Sequence, residues 1–186
     1  MGFLDKFKKK TEDKKTRQGG NKELLTELVR ILSDNNSEIK NEMERCLSDA
    51  KSYYDTHTDL FSEWGLAEYS DGREIYLITL VDLLEKANIV CIRDYKDEKE
   101  DFIYFVQNLT GYKNGNLSLE EDWLQEDGDI TVWAEVLGQH WDGYELAAID
   151  MDSDSYVLFV CDANTLAELM RLGENTGIHI DLAKNM

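Results

Sequence analysis

Asp150, Asp152 and Asp154 alternate along the chain in the pattern Asp-Met-Asp-Ser-Asp-Ser-Tyr156. Carboxylates at the first, third and fifth positions are what calcium-binding loops use to converge oxygens on a cation. The match then stops. The sixth position is Ser155, where the sharp turn of such a loop wants glycine, and the twelfth is Cys161, where a bidentate glutamate belongs. An apolar run follows in place of a helix. Asp150–Tyr156 therefore has three readings. The first is a divalent-ion site on Asp150, Asp152 and Asp154. The second is an acidic turn whose Asp and Ser side chains accept local backbone N–H groups. The third is a loop that recognises a partner.

Other candidate groups are scattered. His140 stands beside Trp141 and Asp142, and a histidine can exchange protons near neutral pH. Neighbouring residues point apart, however, and no serine or cysteine elbow accompanies it. His-Glu-x-x-His, Gly-x-Gly-x-x-Gly, a Walker loop and Gly-x-Ser-x-Gly are all missing from the sequence. Cys46, Cys91 and Cys161 are odd in number and far apart. They fit buried free thiols of a reducing cytoplasm better than a disulfide framework or a cysteine zinc site. Of the four tryptophans, Trp64 and Trp133 fall on apolar helical faces and read as core. Trp123 and Trp141 border acidic loops, where an aromatic anchor could carry binding energy.

The elements that would position these groups follow from periodicity. Leu24, Leu25, Leu28, Val29 and Leu32 predict a helix near 21–33. Ile39, Met43, Cys46, Leu47, Ala50 and Tyr54 predict another over 37–54, with Asp34-Asn35-Asn36 as the break and cap between them. Shorter helices are expected near 57–65 and, after an Asp71/Glu74 capping box, near 72–87. Ile89–Ile92 reads as a buried strand, and Phe102, Phe105, Val106 and Leu109 as a helix stopped by Gly111. Residues 111–117 read as a loop with an Asn114-Gly115 turn. Ser118 and Glu121 suggest a capping box for a short helix with Leu119 and Trp123, and Val132–Leu137 a helix ending at Gly138. Glu145–Ile149 and Tyr156–Cys161 flank the aspartates as a β-hairpin. A helix over 163–173 and a last short strand in 177–181 complete the order. Helices first and strands clustered late predict an α+β fold, N-terminal helices packed with a small sheet that contains the C-terminal hairpin.

Charge divides the chain. Met1–Arg17 holds seven Lys/Arg against three acids, while the remainder holds 13 bases and 36 acids, within a net charge of −19. We expect a basic leader over 1–20 and a single acidic domain over 21–186. The leader puts Phe3, Leu4 and Phe7 on one helical face and Lys8, Lys9 and Lys10 on others, a short version of an interfacial membrane anchor. It lacks the continuous apolar stretch of a signal peptide. The acidic body repels nucleic acid and anionic lipid and draws basic protein surfaces.

Two stretches resemble an uncharacterised family of small bacterial proteins, whose members show a strand ending in Asp-Trp-Lys-Glu and a hairpin reading Asp-x-x-Ser-Asp-x-Tyr. They are Ile89–Lys99, with Asp94-Tyr95-Lys96-Asp97 where the first motif has Trp, and Glu145–Val160, with Asp150, Ser153, Asp154 and Tyr156 on the second. The resemblance covers about residues 72–181 and implies no activity. Two functions follow from the residues. One is a non-catalytic cytoplasmic interaction module without a cofactor, binding a protein with a basic surface through Asp150, Asp152, Asp154, Tyr156, Trp141 and Trp123. Acidic immunity proteins, which plug basic toxin active sites, are alike in composition. The other is a divalent-metal-dependent enzyme or regulator on the three aspartates, with His140 or Asp94 nearby.

Overall fold

The computed structural model describes residues 18–186. The residues proposed as a membrane anchor, Phe3, Leu4, Phe7 and Lys8–Lys10, lie outside that span. Chain contacts fall into two units, the first up to Leu84 and the second Glu85–Met186.

In the first unit, α1 (Gln18–Leu32) and α2 (Ser37–Ser48) form the expected hairpin. Asp34 and Asn35 take left-handed backbone angles, and the Asn36 carboxamide accepts the N–H groups of Glu38 and Ile39. Asn and Asp tolerate that region better than other side chains, which is why this triplet turns the chain. The single helix expected over 37–54 is two. Asp49, at φ −154°, ends α2 and accepts the Ser52 N–H to start α3 (Ala50–Thr56). The apolar spacing runs through the break without a phase change, so periodicity alone hides it. α4 (Thr58–Glu63) and α5 (Gly72–Lys86) follow, α5 opened by the Asp71 carboxylate on the Glu74 N–H. Ile75, Ile78, Leu80, Val81 and Leu84 of α5 are buried, and Thr79 is satisfied inside by the Ile75 carbonyl at 2.7 Å.

The second unit carries the sheet. Its elements are β1 (Val90–Asp94), α6 (Lys99–Asn108), α7 (Thr110–Asn114), α8 (Ile130–His140), β2 (Tyr144–Ile149), β3 (Ser155–Asp162), α9 (Ala163–Thr176) and β4 (Ile180–Leu182). The order β1-β3-β2-β4 is antiparallel throughout. The fold is α+β with a small C-terminal sheet, as the element order predicts. Cys91, Leu146, Ala148, Leu158 and Val160 join one cluster with Phe102 and Val106 of α6 and Ile130, Trp133 and Leu137 of α8. Alternation sends Ala147, Ile149, Val157 and Phe159 to the other face, and all four are buried. Burial on both faces explains why β2 and β3 read as continuous apolar runs.

Three local expectations are corrected. Residues 111–117 are not simply a loop: α7 occupies Thr110–Asn114, and Gly111 lies inside it. A Cβ on Gly111 would sit 1.8 Å from the Val160 carbonyl oxygen, so the glycine is there for close approach to β3. The left-handed residue of the following turn is Asn116, while Gly115 is right-handed helical. The Ser118/Glu121 box does not form; only a 3-10 turn at Glu121–Trp123 appears, without a side-chain cap. Ser118 instead offers its carbonyl to the Trp141 indole N–H at 2.8 Å. Among the described residues, no helix is long and apolar enough to cross a membrane.

Candidate functional site

The Asp150–Asp154 segment joins β2 to β3, as the hairpin reading expects, and its ends are extensions of the sheet. The Asp150 N–H donates to the His179 carbonyl at 3.0 Å, and the Tyr95 N–H donates to the Asp154 carbonyl at 3.3 Å. The turn is closed by its own side chains. Asp150 Oδ1 accepts the Asp152 N–H at 2.7 Å, and Ser153 Oγ accepts the Ser155 N–H at 3.1 Å. Asp152 holds φ +52°, a left-handed conformation that aspartate tolerates. Met151 points inward and is 1% exposed, pinning the turn to the core.

The Asp150 carboxylate is therefore used locally. Among the described residues, no group of three or more His, Cys, Asp and Glu side chains is placed to hold a metal ion. Of the companions of the metal reading, Asp94 stands opposite Ser155 in the β1–β3 register, and His140 ends α8. Asp94 accepts the Lys96 N–H at 3.0 Å, and the His140 ring lies flat on Trp123, centroids 3.9 Å apart and planes 6° from parallel.

What the turn does build is one wall of a cleft of about 430 Å³. Its lining brings together Tyr95, Asp150, Ser153, Asp154, Tyr156, His179 and Met186, with the almost fully buried Ala148 and Ile149 of β2 behind them. Each contributor is held from behind. Tyr95 begins the β1–α6 connection, which Arg93 braces by pairing with Asp97, Nε to Oδ2 at 2.6 Å, while its guanidinium stacks 3.9 Å from the Phe105 ring. Tyr156 stands opposite Arg93 in the β1–β3 register and is half-buried. Burial, and then the nearby Asp129 carboxylate, push its phenol above the usual tyrosine range. His179 precedes β4 and places Nδ1 3.4 Å from Asp150 Oδ2. Tyr95 is 42% exposed, one of the few large rings open to water among the described residues.

The cleft lining thus takes in Asp150, Asp154 and Tyr156, while Asp152, in the same turn, and Trp123 and Trp141 are not part of it. Trp141 is a core residue at 4% exposure; its ring fills the α8 cluster and meets Tyr112 edge-on. Bordering an acidic loop in sequence did not make it a surface anchor. Trp123 is half-buried against the same cluster under His140. Tyr95 and His179 are the cleft residues that sequence reasoning did not select. Tyr95 is within the Asp94–Asp97 motif, which was a signal. His179 had none, because its proximity depends on β4 pairing with β2 across some thirty residues.

The cleft is acidic and aromatic, with Met186 as its accessible apolar side chain. That suits a cation: carboxylates and ring faces attract the charge. The thiols among the described residues lie outside its lining and are raised by burial, Cys46 to about 11 and Cys91 and Cys161 to about 12, so none is an activated nucleophile.

Residues 24–183 match a family described as a domain of unknown function (DUF6630), a span that includes the cleft residues from Tyr95 to His179. No curated protein and no solved structure matches the chain.

Proposed function

We propose that the chain, which belongs to the DUF6630 family, is a non-catalytic binding module that docks a protein with a basic surface at the Asp150–Tyr156 cleft. The observation that carries this reading is the joint lining of the cleft by two carboxylates and two tyrosines. The net charge of −19 supports it from a distance by steering cationic partners and repelling nucleic acid. The role is immunity-like in the sense that an acidic surface covers a basic one. The same reading makes the protein bacterial and cytoplasmic, with Asp150-x-x-Ser153-Asp154-x-Tyr156 as a signature of its family. Free thiols at Cys46, Cys91 and Cys161 fit that compartment. The leader's lysines and phenylalanines would add a weak contact with anionic membranes.

Fluorescence anisotropy of a labelled octalysine peptide against the full chain tests the docking site. Asp150→Asn/Asp154→Asn should weaken binding about tenfold, as expected when charge-assisted contacts are lost. Glu120→Gln/Asp122→Asn, an equal charge change outside the cleft lining, should weaken it far less. Equal losses in the two variants would mean that only bulk charge attracts the peptide, and the cleft would lose its role.

A further inference from the structure

Lys96 Nζ lies 5.1 Å from the centroid of the Tyr95 ring, the ring that forms one side of the cleft. That distance is within the range of a cation–π contact. A hydrogen bond with the Tyr95 side chain holds the Lys96 ammonium above the usual lysine range. The chain therefore already keeps an ammonium on this ring. The connection fixes the arrangement: the Asp94 carboxylate accepts the Lys96 N–H, and the Asp97 N–H donates to the Asp94 carbonyl at 3.1 Å. The residue after Tyr95 is thereby held in a tight turn beside the cleft and not carried away along α6.

Resting on the docking role of the cleft, we infer that its ligand is an ammonium on an extended aliphatic stem, a lysine of the partner, and that Lys96 is a built-in competitor for the Tyr95 ring. An incoming lysine would lay its methylenes along Met186 and bring its charge among Tyr95, Asp150 and Asp154. The resident Lys96 ammonium disfavours that arrival by like charge and by occupying the same ring. Affinity is thus held below what the lining alone would give, and a partner gains by exchanging its own lysine for Lys96.

The experiment uses the full chain and the octalysine peptide, with Lys113→Gln as the control for an equal change of net charge outside the cleft lining. Lys96→Gln should tighten binding roughly two- to fivefold beyond Lys113→Gln, the size of an exposed cation–π contact. In a Tyr95→Leu background that excess should disappear, because the ring for which the two cations compete is gone. Octalysine acetylated at every Nε should lose cleft binding. Equal effects of Lys96→Gln and Lys113→Gln, or an excess that survives Tyr95→Leu, would overturn the competitor role. Retained binding of the acetylated peptide would overturn the ammonium. Failure of the docking reading itself is separable, because it shows as equal losses in Asp150→Asn/Asp154→Asn and Glu120→Gln/Asp122→Asn. Circular dichroism on each variant excludes loss of fold as the cause.

Discussion

Asp162 accepts the N–H groups of Asn164 and Thr165 at 3.1 Å each, and the Thr165 hydroxyl at 2.6 Å, at the start of α9. The Thr165 hydroxyl first, and the backbone N–H groups after it, hold its carboxyl below the ordinary aspartate value of 3.8. Asp129 does the same for α8 through the Thr131 hydroxyl and then the Val132 N–H. A carboxylate whose folded pKa is depressed contributes stability above its unfolded pKa and loses it as pH falls through the folded one. Asn at either position keeps an acceptor but has no proton to take up. Asp162→Asn and Asp129→Asn should therefore lower urea-denaturation stability at pH 7 and flatten its fall below pH 3.8; an unchanged acid limb would show that these caps do not set it. Burial makes the opposite statement for the thiols. With Cys91 and Cys161 raised to about 12 and Cys46 to about 11, thiolate is scarce at pH 8. Iodoacetamide should label none of the three in the native protein within the time that labels all three in urea. Calcium should likewise give no saturable rise in melting temperature, whereas an ion bound at 100 times its Kd would add about 2.7 kcal/mol. The sequence displayed the aspartates but not their use. Whether Asp150 faces an ion or the Asp152 N–H depends on backbone angles that composition does not encode.

Gly111 and Gly143 separate two reasons for a glycine. Gly143 has φ +74° with open space around it, so alanine there meets only backbone strain, about 1 kcal/mol. Gly111 has ordinary angles but lies against the Val160 carbonyl, where a Cβ at 1.8 Å would push α7 off β3. Gly111→Ala should cost more than Gly143→Ala, in the 1–3 kcal/mol range of overpacking or above it. Urea denaturation of both variants checks this, and the reverse order would refute the close-approach account. The same contrast explains what could be read in advance. Helices with a regular apolar stripe, the Asp34–Asn36 turn and the β2–β3 hairpin were legible because local chemistry and burial agree there. The Asp49 break, α7 and the inert Ser118/Glu121 box were not. The first is a local cap, Asp49 on the Ser52 N–H, hidden under unbroken apolar spacing. In the other two a contact distant in sequence overrides the local signal: Gly111 meets β3, and the Ser118 carbonyl is claimed by the Trp141 indole. Tyr95 and His179 entered the cleft by the same route, through strand pairing and not spacing.

Charge acts on the whole chain in two opposed ways. A net charge of −19 on 186 residues repels itself in the folded state, where the acids are held closer than in the unfolded chain. The described ion pairs offset little of this, since most are exposed pairs such as Arg45–Glu42 and Lys51–Asp55. Salt shortens the reach of that repulsion to about 10 Å at 0.1 M. The same screening weakens attraction between the acidic surface and a cationic partner. Raising sodium chloride from about 10 mM to about 200 mM should therefore raise the melting temperature of the chain and lower its affinity for octalysine. The cleft variant discriminates further. Asp150→Asn/Asp154→Asn should bind octalysine with a shallower salt dependence than wild type, since fewer charges take part. Its melting temperature should respond to salt almost as wild type does, since only two of 39 acids have changed. Parallel salt slopes for binding in the two proteins would place the attraction on the general surface, and a melting temperature that falls with salt would mean that specific ion pairs outweigh self-repulsion.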